Sequence, residues 1–237
     1  MQNKESISDP HTQMPLTRIQ KLIGGYMHRS KREKPCCYME CTADLTDLVK
    51  LRKRFSRQAG IRITTNDFFI AAIGHAIAEF PLFAGRMDET GDFIETTEQT
   101  GVGFAVAAPQ GLVVPVVKDV SSKSLAQVSA DSDHLLRKAR SNKLDLDDFD
   151  GANVVLSGLG MFGVTSFIAI APPEAVGIIS IGKIVEKALP VDGEIAPRRT
   201  MSITLAADMR IVSESYAARF LRRIVDMLEN PTCMTSL

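Results

Sequence analysis

Strand-like and helix-like periods are intermixed along this chain without regular alternation, and that irregular order constrains the fold more than any single motif. β-Branched runs lie at 101–107, 112–117, 153–157, 175–181 and 200–206. Helical spacing of apolar residues lies at 16–34, 46–58, 66–80, 124–140 and 213–229. A doubly wound sheet needs strand and helix in strict turn, so the pattern predicts an α+β fold, a sheet with helices on one side. Breakers set the boundaries. Pro35 ends the first helix after the basic stretch 29–34, Thr46 opens the second helix as its cap, and Gly60 closes it. Pro81 stops the buried helix 66–80, and Asn230-Pro231 stops the last one. Residues 108–111 join two of the β-branched runs into a hairpin, and Asp192-Gly193 is the turn between two short flanking strands.

Residues 1–14 are polar and aperiodic and are expected to be a flexible lead-in, leaving 15–237 as one core domain. With 28 basic and 28 acidic residues the formal net charge is zero, which predicts no nucleic-acid partner and no anionic membrane surface. The longest apolar stretch, 164–185, is interrupted by Pro172, Pro173, Glu174 and Lys183, so no transmembrane helix or signal peptide is expected. Cys36, Cys37, Cys41 and Cys233 lack CxxC spacing and read as reduced thiols, consistent with a cytoplasmic location.

Gly158-Leu159-Gly160-Met161-Phe162-Gly163 follows a strand and matches the dinucleotide pattern GxGxxG. The helix that would receive a pyrophosphate is missing, because 164–170 is β-branched and ends at Pro172-Pro173; a glycine-rich bend is expected instead. His11, His28, His75 and His134 have no second ligand at metal spacing, so no metal site is expected. His75, inside an apolar helix, reads as a core histidine. Cys36 and Cys37 face opposite sides of a strand while Cys37 and Cys41 share one, and no histidine base accompanies them. Arg52, Lys53, Arg54 and Arg57 read as a solvated helix face.

Six blocks together resemble the catalytic core domain of the dihydrolipoamide acyltransferases of 2-oxo acid dehydrogenase complexes, from about residue 15 to 231. They are Pro15-Leu16-Thr17-Arg18-Ile19, Asn66-Asp67-Phe68, the run from Gly111 to Val117, Lys123-Ser124-Leu125, the run from Leu156 to Gly163, and Asp208-Met209-Arg210-Ile211-Val212-Ser213-Glu214. The resemblance implies a chloramphenicol acetyltransferase-like mixed β-sheet, a trimer, and acyl transfer between a lipoyl thioester and coenzyme A at the interface between neighbouring subunits. It implies no covalently bound cofactor. Such chemistry needs a base, because a free thiol with pKa about 8.5 is only a few per cent thiolate at neutral pH. It also needs a donor to the oxyanion.

In active relatives the last block carries the base as histidine; here that position is Met209. The acidic or amide residue four places on is Ser213, and the following glycine is Glu214. The hydroxyl residue that supports the oxyanion is retained as Ser157, 52 positions before Met209. A thioether has no titratable proton and cannot serve as a base at any pH. The expectation is a catalytically impaired variant resembling component X, with a structural role as a homotrimer, a larger cage, or a mixed trimer with an active paralogue. Met234 and Leu237 lie where relatives make contacts between trimers. Such relatives carry lipoyl and peripheral-subunit-binding domains upstream, so the chain is expected to be a fragment or a stand-alone core subunit. The alternatives are an acyltransferase with slow or altered activity, and a sensor that binds coenzyme A.

Overall fold

A computed structural model describes residues 14–109 and 111–234. The flexible lead-in, His11, Gln110 and Leu237 therefore lie outside the described residues, save for Met14. In chain order the elements are α1 (Arg18–Glu33), β1 (Cys36–Asp44), α2 (Thr46–Ala59), α3 (Thr65–Glu79), β2 (Gly85–Met87), β3 (Ile94–Thr96), β4 (Val102–Phe104), β5 (Val106–Ala108), β6 (Gly111–Val113), β7 (Val116–Val117), α4 (Leu125–Arg140), β8 (Val154–Gly158), β9 (Gly177–Ile181), β10 (Val185–Val191), β11 (Glu194–Asp208) and α5 (Glu214–Glu229). One mixed sheet runs β1-β11-β9-β8-β4-β7, with β10 on the outer half of β11. β8 is parallel to both β4 and β9, while the other pairs are antiparallel.

The alternation of side chains separates two faces of this sheet. Val154, Leu156, Ile179, Leu205 and Ala207 face the main core, which holds apolar residues of α2, α3, α4 and α5. Their neighbours Val155, Ile178 and Ala206 face the opposite side and meet only Ala171, Ala175 and a few half-buried residues. Cys37 belongs to the first face, Cys41 packs against it and Cys36 against the second, as alternation requires. The segment 164–171 crosses that second face without regular structure. It is fastened by Thr204 Oγ1 donating to Phe167 O at 2.6 Å and Ala169 N donating to Ser180 Oγ at 3.2 Å. Four helices thus cover one side, and α1 rides over residues 171–175 on the other, where only its Ser30 is buried.

Helix ends mostly follow local chemistry. Thr17, Thr64 and Ser124 each form a capping box with the residue three places on, and Gly60 ends α2 in the left-handed region. Four expectations are corrected. Thr46 is the first helical residue rather than the cap: its hydroxyl donates to Asp44 Oδ1 at 2.6 Å and accepts from Arg199 N at 2.8 Å, so β11 has claimed it. The strands around Asp192-Gly193 span 7 and 15 residues, because β11 continues inward as a central strand. The hairpin around 108–111 is divided, β4 pairing β7 in the main sheet and β5 pairing β6 apart from it; Pro115 has no N–H and interrupts the ladder there. Met234 is 2% exposed and fills the chain's own core, so it is no contact residue on the surface.

The glycine-rich bend takes the expected form. Gly160–Phe162 make one 3-10 turn ended by Gly163 at φ 82°, and no helix follows. Gly182, at the end of β9, has no space for a side chain: an added Cβ would stand 1.8 Å from the Thr165 backbone oxygen. Gly182→Ala is expected to destabilise by about 3 kcal/mol, since backbone must shift, whereas Gly24→Ala on exposed α1, with open space around it, gains up to about 1 kcal/mol. Chemical denaturation of the two variants checks the opposite signs.

Candidate active site

The 208–214 block forms a tight turn joining the sheet to α5. Ile211 N and Val212 N both donate to Asp208 O, at 3.1 and 3.0 Å, and Met209 N donates to Pro35 O at 2.9 Å. Asp208 is fully buried. Arg210 forks onto it, Nε at 3.0 Å from Oδ1 and an Nη at 2.7 Å from Oδ2, and the Asp208 carboxylate also accepts from Arg210 N at 3.1 Å. The turn is therefore pinned from inside, and Met209, between the two pinned residues, is 42% exposed. Ser213 caps α5 by accepting from Tyr216 N at 3.4 Å, a role that aspartate or asparagine fills equally well. Glu214 is exposed at the first helical position.

A cation unnoticed in the sequence completes this corner. Lys34 has a side chain 4% exposed; its Nζ donates to Pro172 O at 2.8 Å and to Ala175 O, and stands 3.9 Å from Asp208 Oδ2. Burial pulls its ammonium down to about 8, against the opposing pull of Asp208. It closes the floor of a cleft of about 680 Å³ bounded by Arg86, Glu95, Asp150 and Arg210. The folded pKa lies below the ordinary 10.5, so between pH 8 and 10.5 the unfolded chain binds more protons, and the Lys34 contribution to stability rises with pH. The stability of the wild type relative to Lys34→Met is expected to increase by up to about 3 kcal/mol over that range, read from urea unfolding at stepped pH.

Ser157 lies elsewhere. It is half-buried near the end of β8, and its hydroxyl makes no hydrogen bond among the described residues. Strand register measures the separation. Ser157 pairs with Ser180, Ser180 with Thr204, and Met209 follows five residues further along the same strand direction. That is about 17 Å along the strand plus two strand spacings of about 4.8 Å, beyond the reach of a serine and a methionine side chain. One chain therefore does not bring Ser157 and Met209 together, while Met209, Ser213 and Glu214 share one turn.

No described histidine hydrogen-bonds to Ser157. His28 and His134 are exposed. His75, expected in the core, is only half-buried, because positions 75, 78 and 79 share a helix face that reaches solvent; burial pulls its imidazole down, opposed by Glu79 and aided by Arg223. Burial raises the Cys36 and Cys37 thiols, and Glu214 adds to the rise at Cys37, so neither is an activated nucleophile. Among the described residues no group of three or more His, Cys, Asp or Glu is placed to hold a metal ion, and no helix is long and apolar enough to cross a membrane.

The mixed sheet with its helical layer defines a chloramphenicol acetyltransferase-like α+β domain. A solved chloramphenicol acetyltransferase shares the fold at a TM-score of 0.53 and 12% identity, covering 86% of this chain and 94% of that one. The family model for the 2-oxoacid dehydrogenases acyltransferase (catalytic domain) matches residues 8–236, and the chain belongs to that family. It is 31% identical over 225 residues to the dihydrolipoyllysine-residue acetyltransferase component of pyruvate dehydrogenase complex of Rickettsia felis, covering 93% of this chain. The chain spans about half the length of that relative, 54%. Two solved structures match at a TM-score of 0.88 and 30% identity, each over 97% of this chain and 96% of the other. One is the cubic core of the pyruvate dehydrogenase multienzyme complex. The other concerns a serine, a histidine and an asparagine in the catalytic mechanism of the Azotobacter vinelandii dihydrolipoamide acetyltransferase. There the histidine stands 52 positions after the serine and the asparagine four further on.

Proposed function

We propose that this chain is the acyltransferase core of a 2-oxo acid dehydrogenase-type complex in which assembly is kept and most of the chemistry is lost, as in component X. The observation that carries the reading is the pinned turn with Met209 where a base is required. Ser157, Met209 and Ser213 repeat the 52- and four-residue spacing of the Azotobacter serine, histidine and asparagine. Loss of a positioned base costs about 10²- to 10⁴-fold, while Ser157 supplies oxyanion support and holds residual turnover. The scaffold is undamaged: caps, glycine bend and core agree with one another throughout.

The assembly is a homotrimer, with a larger cage like the relative's cubic core or a mixed trimer with an active paralogue as its further forms. The separation of Ser157 from Met209 within one chain supports a site built between subunits. Coenzyme A and a lipoyl thioester are the substrates of that site, and neither is held covalently. A turnover assay with acyl-CoA and dihydrolipoamide, run beside the Met209→His, Ser213→Asp, Glu214→Gly chain, tests the chemical half. Equal rates would mean that the wild type needs no base, and the reading fails. Sedimentation as a monomer would defeat the assembly half.

A further inference from the structure

Lys34 has no task in the acyl-transfer reading, yet it stands at the corner where that chemistry is placed: the carbonyl of the next residue, Pro35, accepts from Met209 N at 2.9 Å. An ammonium has three N–H donors. Two of them go to Pro172 O and Ala175 O, and Asp208 Oδ2 at 3.9 Å is beyond hydrogen-bond reach, so among the described residues the third has no acceptor. The side chain is only 4% exposed, but it is open to two cavities. It walls the cleft of about 680 Å³ and, on its other side, a cavity of about 310 Å³ shared with Ser30, Cys36, Ile170 and Ala206. Either has room for a short acyl group, which displaces only a few waters. Burial disfavours the ammonium most; Asp208 opposes it, Arg210 adds to it, Cys36 opposes and Arg29, itself paired with Glu174, adds again, leaving Lys34 at about 8. Hydrogen bonds to Tyr38, Asp147 and Asp148 instead hold Lys31, Lys118 and Lys138 above the ordinary lysine range. A lysine desolvated beside other cations is an activated nucleophile. We propose that Lys34 is an acyl acceptor, a modification site whose amine takes the acyl group of a thioester that enters beside it.

This rests on the acyltransferase reading for the arrival of a thioester at this corner. The neutral Nζ attacks the carbonyl carbon, a C–N bond forms, and the C–S bond breaks. The proton lost by the nitrogen goes to the departing thiolate, so the products are an Nε-acyl-lysine and a free thiol, and no oxidant or further reactant enters. No base is needed at position 209, because the amine is already deprotonated when it attacks. The new amide keeps one N–H, enough for one of the two carbonyls, and Asp208 keeps the Arg210 fork. An amide is a far poorer acyl donor than a thioester, so the group stays on Lys34 and removes its charge from the corner.

The test incubates the purified protein with S-acetyl-N-acetylcysteamine, a small thioester without a nucleotide, and in parallel with acetyl-CoA, and follows acetylation at each lysine by peptide mass spectrometry across pH. At pH 7.5 the amine fraction of Lys34 exceeds that of an ordinary lysine by about 10²-fold, and the lower basicity of its nitrogen gives part of this back. Lys34 is therefore expected to acetylate about 10-fold faster than exposed lysines such as Lys50 and Lys53. Its rate is expected to level off above about pH 8, while theirs climb on towards 10.5. Unfolding in guanidinium is expected to erase both differences, and Lys34→Arg to remove the fast site while the remaining lysines react as before. Labelling of Lys34 by the small thioester no faster than that of the exposed lysines, or a rate that keeps climbing with theirs, overturns the inference. The two thioesters separate the causes. If the small one labels Lys34 and acetyl-CoA labels it no faster, the acceptor role stands and coenzyme A as a substrate falls. If the small one fails while the Met209→His, Ser213→Asp, Glu214→Gly chain turns over acyl-CoA, only the acceptor role falls.

Discussion

Chains carrying Met209→His, Ser213→Asp and Glu214→Gly are expected to transfer acyl groups about 10²- to 10⁴-fold faster than the wild type. A thioether neither binds nor releases a proton near neutrality, so Met209 itself cannot take the proton of an incoming thiol. Position 209 tolerates the change, because its side chain is 42% exposed while the backbone around it is fixed by Pro35, Asp208 and Arg210. Aspartate at 213 keeps the cap on α5 and places negative charge where the helix N-terminus favours it. Removing the Glu214 carboxylate matters as well. It already helps to hold the Cys37 thiol protonated, and the same field opposes ionisation of any thiol brought to this turn. Glycine at the first helical position costs no more than about 1 kcal/mol in return. Steady-state rates across pH check the effect: the variant gains a limb rising through about pH 6.5, the ordinary imidazole range, which the wild type lacks. Identical profiles would sink the idea.

Asp208→Ala is expected to destabilise the fold by about 3–5 kcal/mol, the usual cost of removing one member of a buried ion pair. Asp208 is completely buried, and its removal leaves the Lys34 ammonium with only two carbonyl oxygens and releases the Arg210 fork. Lys34→Met is expected to cost much less, since Asp208 keeps Arg210. Adding Lys34→Met to Asp208→Ala is expected to recover part of the loss, because the stranded charge goes with it. Thermal or urea unfolding of the three variants decides the matter, and equal losses for the two single substitutions would refute the charge argument. The turn bearing Met209 is held by this trio, so Asp208→Ala also removes much of the gain from Met209→His.

The Lys34–Asp208 pair lies beyond what local spacing can show. Lys34 looked like the last member of a basic helix terminus, since local spacing joins it to Lys31 and Arg32. Its partner, Asp208, is 174 positions away, and only the antiparallel register that sets Cys36 against Asp208 brings the two together. Thr46 misled for the same reason: threonine before a helical period is a good cap, but Arg199 of a distant strand took its hydroxyl. His75 looked buried from its apolar neighbours, whereas the face it occupies opens beside Glu79 and Arg223.

Sequence alone determined the features that depend on nearby residues: the α+β class, the five helices, the glycine bend at 158–163, and the order of motifs that carries Ser157, Met209, Ser213 and Glu214. These follow from backbone sterics, short-range hydrogen bonds and hydrophobic period, all of which act over a few residues. Tertiary structure decided the rest: the strand order, the buried Lys34–Asp208–Arg210 trio, and the distance between Ser157 and Met209 within one chain. Each depends on strands far apart in sequence meeting in one register, and pairing energy between distant segments leaves no periodic trace in either segment by itself.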